Sequence, residues 1–225
     1  MRDFTDITIL LDRSGSMQIV KPGTIEGVNA FIDDQKKVPG DGCWTLIQFD
    51  EPGSAKGAGE QFPHIVYQAA HQSAVPMLNS ETFNPRGGTA LIDAACLAID
   101  ATGRRLASLP EHLRPNRVLF VIVTDGEENS SRTYSRTNLN ERIAHQQERY
   151  GWRFHYLGAN QDSFANAKSF GVSQFFGGIA MNWEHTSGGI LKAMNSTSGN
   201  TRNWKAEGTG GQFVNSAEPD KVLAK

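Results

Sequence analysis

Residues 7–16 read Ile7-Thr8-Ile9-Leu10-Leu11-Asp12-Arg13-Ser14-Gly15-Ser16. The first five form a short, partly β-branched apolar run, which is typical of a strand buried inside a sheet. The next five form a turn that carries one carboxylate and two hydroxyls at every second position. In open α/β sheets, ligands bind at the carboxyl ends of the strands. The turn is therefore both the end of a strand and a candidate binding site.

Outward from this stretch, apolar strands alternate with segments of helical period, a pattern that predicts a sheet covered by helices on both faces. The clearest buried strand is 118–123, and 43–49, 64–68 and 153–157 are further strands, with 173–176 as a last, short edge strand. A Gly-rich stretch at 52–59 makes 43–49 and 64–68 a hairpin. We expect an α/β fold: a Rossmann-like, doubly wound, mostly parallel six-stranded sheet with one antiparallel edge strand and helices on both faces.

Turn and cap residues predict the helix ends. A first helix starts at Thr24, Thr89 caps a second helix, and Asn138 with Glu141 resembles a capping box for a third that Gly151 closes. Residues 161–170 are expected to be helical, and a final helix reaches Met194 or slightly further. Ser, Asn, Thr and Gly dominate after that point. We therefore expect one domain over residues 1–195 and a tail over 196–225 that is flexible or docked on a partner.

Composition excludes several classes of partner. The chain has 225 residues with 38% hydrophobic content, and its 22 basic and 24 acidic residues give a net charge of −2. Such a balance provides no field to recruit nucleic acid or an anionic membrane. We expect a cytoplasmic protein, because the N-terminus runs straight into a strand without a signal sequence and no apolar run could span a membrane. Cys43 and Cys96 lack metal-ligand spacing and are expected to be reduced, buried thiols.

Two further strand ends carry oxygen donors that match the first turn. Thr89 follows Gly87-Gly88 just ahead of a helix, and Asp125 comes directly after the 118–123 strand. Oxygen-only chemistry suits a hard cation, Mg²⁺ foremost and then Mn²⁺ or Ca²⁺. The candidate metal ligands are Asp12, Ser14, Ser16, Thr89 and Asp125.

These five residues resemble the metal-ion-dependent adhesion site (MIDAS) of the von Willebrand factor A (vWA) family. That site has an Asp-x-Ser-x-Ser turn, a Thr in a second loop and an Asp in a third, and Asp12, Ser14 and Ser16, then Thr89, then Asp125 match these elements in order. The resemblance covers roughly residues 6 to 180 and extends to intracellular bacterial or phage-type single-domain members. It implies a vWA-like domain over 1–195.

The resemblance also implies a function. In the family, the serines and the threonine contact the metal directly while the carboxylates often act through water, so a partner's Asp or Glu can complete the coordination. The chain would then be a non-enzymatic, cation-dependent protein-binding module, and intracellular members often act as adaptors in larger assemblies. Glu127 and Glu128 follow Asp125 and are candidates for ordering coordinated water.

Other interpretations of the same residues remain open. Each turn residue alone is an ordinary cap or loop residue, so the metal site depends on the coincidence of three strand ends. A Mg²⁺-dependent phosphoryl-transfer hydrolase would use Asp12 as nucleophile, but the second Asp typical of such enzymes is replaced by Ser14. A metal-independent structural or assembly protein is a third class, with the tail carboxylates Glu218 and Asp220 as possible occupants of the site. The six histidines are scattered singly and predict no zinc site.

Overall fold

The computed structural model describes residues 3–53, 61–159 and 163–207. Six strands form one sheet in the order β3-β2-β1-β4-β5-β6. Neighbouring strands are parallel except β2 and β3, which are antiparallel and place β3 at one edge. The expected α/β fold class is therefore confirmed. The strands are β1 Phe4–Asp12, β2 Asp41–Phe49, β3 His64–His71, β4 Arg117–Thr124, β5 Arg153–Ala159 and β6 Ile179–Trp183.

Helices cover both faces of this sheet. They are α1 Lys21–Lys36, α2 Leu91–Ala107, α3 Arg136–Tyr150, α4 Ser163–Ser169 and α5 Ser187–Ala206. Because successive side chains of a strand point to opposite faces, β1 contributes to two cores. Ile9 packs in the core that includes α1 and α5, and Leu10 packs in the core that includes α2, α3 and α4. Both side chains are fully buried, as the apolar run predicts.

Helices α1 and α5 approach each other closely on the first face. A Cβ atom added to Gly23 would lie 2.3 Å from the carbonyl oxygen of Ser187, and one added to Gly27 would lie 3.0 Å from Cγ of Met194. The missing side chains therefore allow the two helix backbones to come together. The start of α5, at the edge where β1 and β4 end, is fixed by this contact.

The predicted last strand at 173–176 is wrong. Gln174–Phe176 is a short 3-10 helix closed by Gly177 in the left-handed conformation, and the edge strand β6 begins at Ile179. The cause is local: the amides of Gly177 and Gly178 donate to the carbonyls of Gln174 and Ser173, which turns the chain before it can extend. The true carboxyl end of the last strand is Trp183.

The predicted helix starts need three corrections. Helix α1 begins at Lys21 and not at Thr24. Thr89 does not cap α2; Ala90 occupies the cap position without a side-chain hydrogen bond. The capping box of α3 is formed by Ser135 and Asn138, not by Asn138 and Glu141, and Gly151 closes that helix as expected.

Helix α5 continues to Ala206, beyond residue 195, where the sequence predicts the tail to begin. It is capped by Thr186, whose hydroxyl accepts from the amide of Gly189 at 3.0 Å. Thr197 and Thr201 are buried and donate to the carbonyls four residues earlier. Residues 208–225 lie outside the described residues, so the tail and its carboxylates Glu218 and Asp220 stay a prediction.

Two smaller expectations also have outcomes. Cys43 and Cys96 are free and buried, as predicted. Across the described ranges, no helix is both long and apolar enough to cross a membrane.

Candidate metal centre

Asp12 joins the carboxyl ends of β1 and β4. Its side chain is fully buried, and Oδ2 accepts a hydrogen bond from Oγ1 of Thr124, the last residue of β4, at 2.6 Å. Oδ1 accepts from the amide of Ser14 at 2.7 Å, which folds the turn back over the strand end. Asp12 therefore sets the position of the serine turn relative to the centre of the sheet.

The two serine hydroxyls lie between Asp12 and Asp125. Oγ of Ser14 and Oγ of Ser16 are 3.2 Å apart, and Oγ of Ser16 donates to Oδ1 of Asp125 at 2.8 Å. Ser14 is buried whereas Ser16 is exposed, so the row of oxygens runs from the interior to the surface.

Thr89 approaches this row from the second loop. A Cβ atom added to Gly126 would lie 3.2 Å from Oγ1 of Thr89 and 3.8 Å from Oγ of Ser16, so both hydroxyls flank the same glycine. The amide of Gly15 donates to the carbonyl of Gly87 at 3.0 Å, which connects the first loop to the second. All five sequence-predicted residues thus lie together at one edge of the sheet.

An ion-pair cluster supports the base of these loops. Nε of Arg13 lies 3.2 Å and Nε of Arg86 2.8 Å from Oδ2 of Asp50, which directly follows β2. The amide of Arg86 donates to the carbonyl of Arg13 at 2.7 Å. Asp50 is buried and its charge is balanced by two guanidinium groups, so it is not a candidate cation ligand.

Glu128 does not face the candidate metal centre. Its Oε1 accepts from the amides of Ser130 and Ser131 at 2.9 and 2.7 Å. Oε2 accepts from the amide of Ile92 and the hydroxyl of Ser131, both at 2.7 Å. Both oxygens are therefore occupied in capping α2 and ordering the loop after β4, whereas Glu127 is exposed.

His185 contacts the candidate site but is absent from the set of residues predicted from sequence. Its Nε2 lies 2.6 Å from Oδ2 of Asp125, so each oxygen of Asp125 has one partner, Ser16 or His185. The Asp125 side chain is fully buried and that of His185 is 20% exposed. His185 lies between β6 and α5. A correct prediction of where β6 ends would have placed it beside the other strand ends.

The electrostatics of the site fit a cation. The pKa of the Asp12 carboxyl is raised to about 7, mainly by burial and also by the neighbouring Asp125. Hydrogen bonds from Thr124 and Ser14 act in the opposite direction and lower it. A positive charge beside the two carboxylates would favour their ionised forms. Within the residues that the structure describes, no group of three or more His, Cys, Asp or Glu side chains is placed to hold a metal ion. The donor set consists instead of three hydroxyls and two carboxylates, which is oxygen chemistry suited to Mg²⁺, Mn²⁺ or Ca²⁺.

Comparisons with known proteins place the fold. Neither the protein-family models nor the curated proteins include a match to this chain. Among solved structures, the chain is similar to the von Willebrand factor type A protein from Catenulispora acidiphila, with a TM-score of 0.50, 14% identity, and 88% of this chain and 42% of that chain covered. It is also similar to proximal thread matrix protein 1 from the mussel byssus, whose MIDAS motif is occupied by zinc. The TM-score is 0.53 and the identity 12%, and the match covers 89% of this chain and 46% of that protein.

A third similar structure is close to this chain in extent. The SpRpn10 VWA domain matches with a TM-score of 0.51 and 10% identity over 85% of this chain and 94% of that domain. This chain spans less than half the length of the first two proteins but nearly the whole of the third. The strand order, the antiparallel edge strand and these similarities together show that the chain has the fold of a von Willebrand factor A domain.

Proposed function

We propose that the chain is a cation-dependent protein-binding domain that holds one divalent cation at Asp12, Ser14, Ser16, Thr89 and Asp125. A carboxylate from an Asp or Glu of the partner protein completes the coordination of the cation. The observation that carries the proposal is the convergence of three loops. The Asp12–Thr124 and Ser16–Asp125 hydrogen bonds join the loops after β1 and β4, and the Gly15–Gly87 backbone bond connects the loop before α2 to them.

The donor set explains why such a site would bind a partner. Three of the five donors are neutral hydroxyls, and in the family the carboxylates often act through water, so a divalent cation with few direct anionic ligands would remain electrophilic and attract a further anionic ligand. The chain's own residues hold the oxygens in place: Ser14 and Ser16 by the folded turn, and Thr89 by its amide, which donates to Oδ1 of Asn129 at 2.9 Å. Ser16 is exposed, which leaves this side of the site open to a partner.

The cation is tested by calorimetric titration of Mg²⁺ and Mn²⁺ into chelator-stripped protein. We expect a single site in the wild type and its loss in Ser16→Ala, because the variant removes one donor and the bond to Asp125. Ser108→Ala is the matched control, since its exposed hydroxyl lies at the end of α2 and donates to the carbonyl of Arg105. Equal binding by Ser16→Ala and the wild type would contradict the proposal.

Partner binding is tested by immobilising the protein, capturing other proteins on it in the presence of Mg²⁺ or Mn²⁺, and then eluting them with EDTA. Asp125→Ala is the comparison variant, and we expect it to fold, as judged by circular dichroism, but to retain no EDTA-eluted protein. Partners held equally by the wild type and Asp125→Ala would indicate a metal-independent assembly protein. An adaptor role in a cytoplasmic assembly is the form of this function that the family resemblance favours.

The geometry does not favour a phosphoryl-transfer hydrolase. An Asp nucleophile must reach its substrate, whereas the Asp12 side chain is fully buried and each of its oxygens accepts a hydrogen bond. Ser14 occupies the position of the second Asp of such enzymes.

A further inference from the structure

The carboxylate of Asp125 is held from two sides. Its Oδ1 accepts a hydrogen bond from Oγ of Ser16 at 2.8 Å, and its Oδ2 lies 2.6 Å from Nε2 of His185. An ionised carboxylate only accepts hydrogen bonds, so Nε2 is the donor of the second contact. The carboxylate has about four acceptor positions, so these two partners do not exhaust it. They do fix its orientation, with Oδ1 towards the serine turn.

His185 stands outside the proposed donor set of the cation. It contacts a different oxygen of Asp125 from the one that Ser16 contacts, so the imidazole lies on the side of the carboxylate away from the serine turn. The described part of the chain contains no group of three His, Cys, Asp or Glu side chains placed to hold a metal ion. The proposed donors are therefore oxygens, and His185 acts on one of them as a hydrogen-bond donor.

The segment that carries His185 is held at both ends. Trp183, the last residue of β6, is buried, and its ring centroid lies 6.0 Å from that of His185. On the other side, the amide of Thr186 donates to the carbonyl of Glu184 at 2.6 Å, and its hydroxyl caps α5. A Cβ atom added to Gly189 would lie 2.1 Å from the same carbonyl oxygen, so this turn is closed tightly. The imidazole is thus attached to fixed elements and not to a long loop.

We infer that His185 is a positioning residue of the candidate metal centre, which holds the Asp125 carboxylate in the orientation that binds the cation. The inference rests on the proposed function, since it concerns the same cation site. Ser16 is itself a proposed ligand, so His185 is the one of the two partners that can orient Asp125 independently of the cation. Hydrogen bonds to metal-binding carboxylates from outside the donor set contribute roughly 10–100-fold to metal affinity.

This role makes a different prediction from that of a nitrogen ligand. A histidine ligand would favour transition-metal ions over Mg²⁺. A histidine that acts through Asp125 leaves the oxygen donors unchanged, so its loss should weaken the binding of Mg²⁺ and Mn²⁺ by similar factors. The ratio of the two affinities therefore separates the two roles.

Two amide substitutions at position 185 differ only in reach. His185→Gln places an amide nitrogen about where Nε2 lies, so it can still donate to Oδ2 of Asp125. His185→Asn is one methylene shorter and cannot make this contact. Both side chains are neutral and polar and suit a position that is 20% exposed. His71→Asn is the matched control, because Nε2 of His71 lies 2.8 Å from Oδ1 of Asp41 in a second His–Asp pair, at the amino end of β2.

Calorimetric titration of Mg²⁺ and of Mn²⁺ into the chelator-stripped proteins measures the effect. We expect His185→Asn to lower both affinities at least about tenfold, and His185→Gln and His71→Asn to leave them nearly unchanged. Urea unfolding in EDTA measures the stability of the metal-free variants. If His185 only stabilised the fold, His185→Asn would be less stable but, once folded, would bind both ions like His185→Gln. Equal affinities of these two variants would overturn the inference.

A spectroscopic test addresses direct ligation. The electron spin echo of the Mn²⁺-loaded wild type should lack modulation from a directly coordinated ¹⁴N nucleus, because the imidazole nitrogen contacts Asp125 and not the cation. Modulation of this kind that is present in the wild type and absent in His185→Asn would make His185 a ligand and overturn the positioning role.

The failure of the inference can be distinguished from the failure of the proposed function. A single Mg²⁺ or Mn²⁺ site that is lost in Ser16→Ala but unchanged in His185→Asn would preserve the proposed function and refute the inference. If the wild type binds neither ion, both fail.

Discussion

Glu128 and Glu127 allow a direct test of what the acidic residues after β4 do. If Glu128 only ordered water around a cation, Glu128→Gln would lower cation affinity without affecting the stability of the metal-free protein. The structure predicts the opposite, because both oxygens of Glu128 accept hydrogen bonds from the protein itself. We therefore expect Glu128→Gln to lower the free energy of unfolding of the metal-free protein.

The expected decrease in the free energy of unfolding follows from the four hydrogen bonds that Glu128 accepts. The glutamine oxygen can keep the two amides on one side, and the Ser131 hydroxyl can reverse to accept from the new amide group. The amide of Ile92, in the first turn of α2, is then left without an acceptor, at a cost of roughly 1–3 kcal/mol. Loss of the negative charge at the helix N-terminus adds about 0.3–1 kcal/mol. The total of about 1.3–4 kcal/mol corresponds to a decrease in melting temperature of roughly 3–16 °C in a domain of this size.

The assay is thermal and urea unfolding in EDTA, with Glu127→Gln as the control. Glu127 is exposed, so its substitution should change the free energy of unfolding by less than about 0.5 kcal/mol. Equal stability of the two variants would refute the capping role. Loss of cation affinity in Glu128→Gln without loss of stability would restore the water-ordering interpretation.

Two further predictions concern the packing of α1 and a buried histidine. Gly23→Ala should destabilise the protein by about 1–3 kcal/mol in urea unfolding, because its Cβ would lie 2.3 Å from the carbonyl of Ser187. Gly103→Ala in α2 is the control: its Cβ would meet only ordinary contacts, so it should stabilise the protein by about 0.5–1 kcal/mol. Equal effects of the two substitutions would contradict the close approach of α1 and α5. Burial, with a smaller contribution from Arg153, lowers the pKa of His155 from 6.5 to about 3. Below pH 6.5 the unfolded chain therefore binds a proton that the native state does not, and stability should fall by up to about 1.4 kcal/mol per pH unit towards pH 3. The urea midpoint of the wild type should fall relative to that of His155→Leu as the pH is lowered from 7 to 4, and a constant difference would count against this assignment.

The central part of the fold could be predicted from sequence because its signals are local. Strands β1 and β4 are runs of apolar residues that are buried along nearly their whole length, and Gly151 ends α3 through its own backbone conformation. The edge strand β6 gives a weaker signal, since it has five residues and is mostly half-buried. The prediction assigned the last strand to residues 173–176, which include two aromatic residues, yet Phe175 is 89% exposed.

Tertiary contacts decide the features that sequence patterns missed. Helix α5 contains many poor helix formers, but its buried Thr197 and Thr201 bond to the carbonyls of the preceding turn, and Ser198 accepts from Nε2 of Gln35 in α1 at 2.9 Å. Similarly, the N-terminus of α2 is capped by Glu128, which lies 36 positions from Ile92 in the sequence. No short-range capping rule could reveal that partner.

For the candidate metal centre, the five residues of the motif come together, but Thr89 lies in the loop before α2 and not, as the sequence predicted, at the end of a strand. His185 could not be foreseen because the prediction placed the end of the last strand at residue 176, not at Trp183. In a parallel sheet, the residues that follow each strand form the binding edge, so an error in one strand end removes a residue from the predicted site. The motif predicts three loops at the site, whereas the sheet places a fourth loop, which carries His185, beside Asp125.

The carboxylates at this edge also show why acidic residues alone do not define a cation site. Asp50 is neutralised by two arginines, Glu128 is occupied by amides and a hydroxyl, and Asp93 of α2 accepts from three successive backbone amides of the loop after β4. These three groups hold the loops together, and their charges are already compensated. Asp12 and Asp125 have fewer partners: among the described residues each of their oxygens has one of the contacts given above, whereas each oxygen of Glu128 and of Asp93 accepts two. Two buried carboxylates with so few partners are the groups that the proposed divalent cation would stabilise in their ionised form.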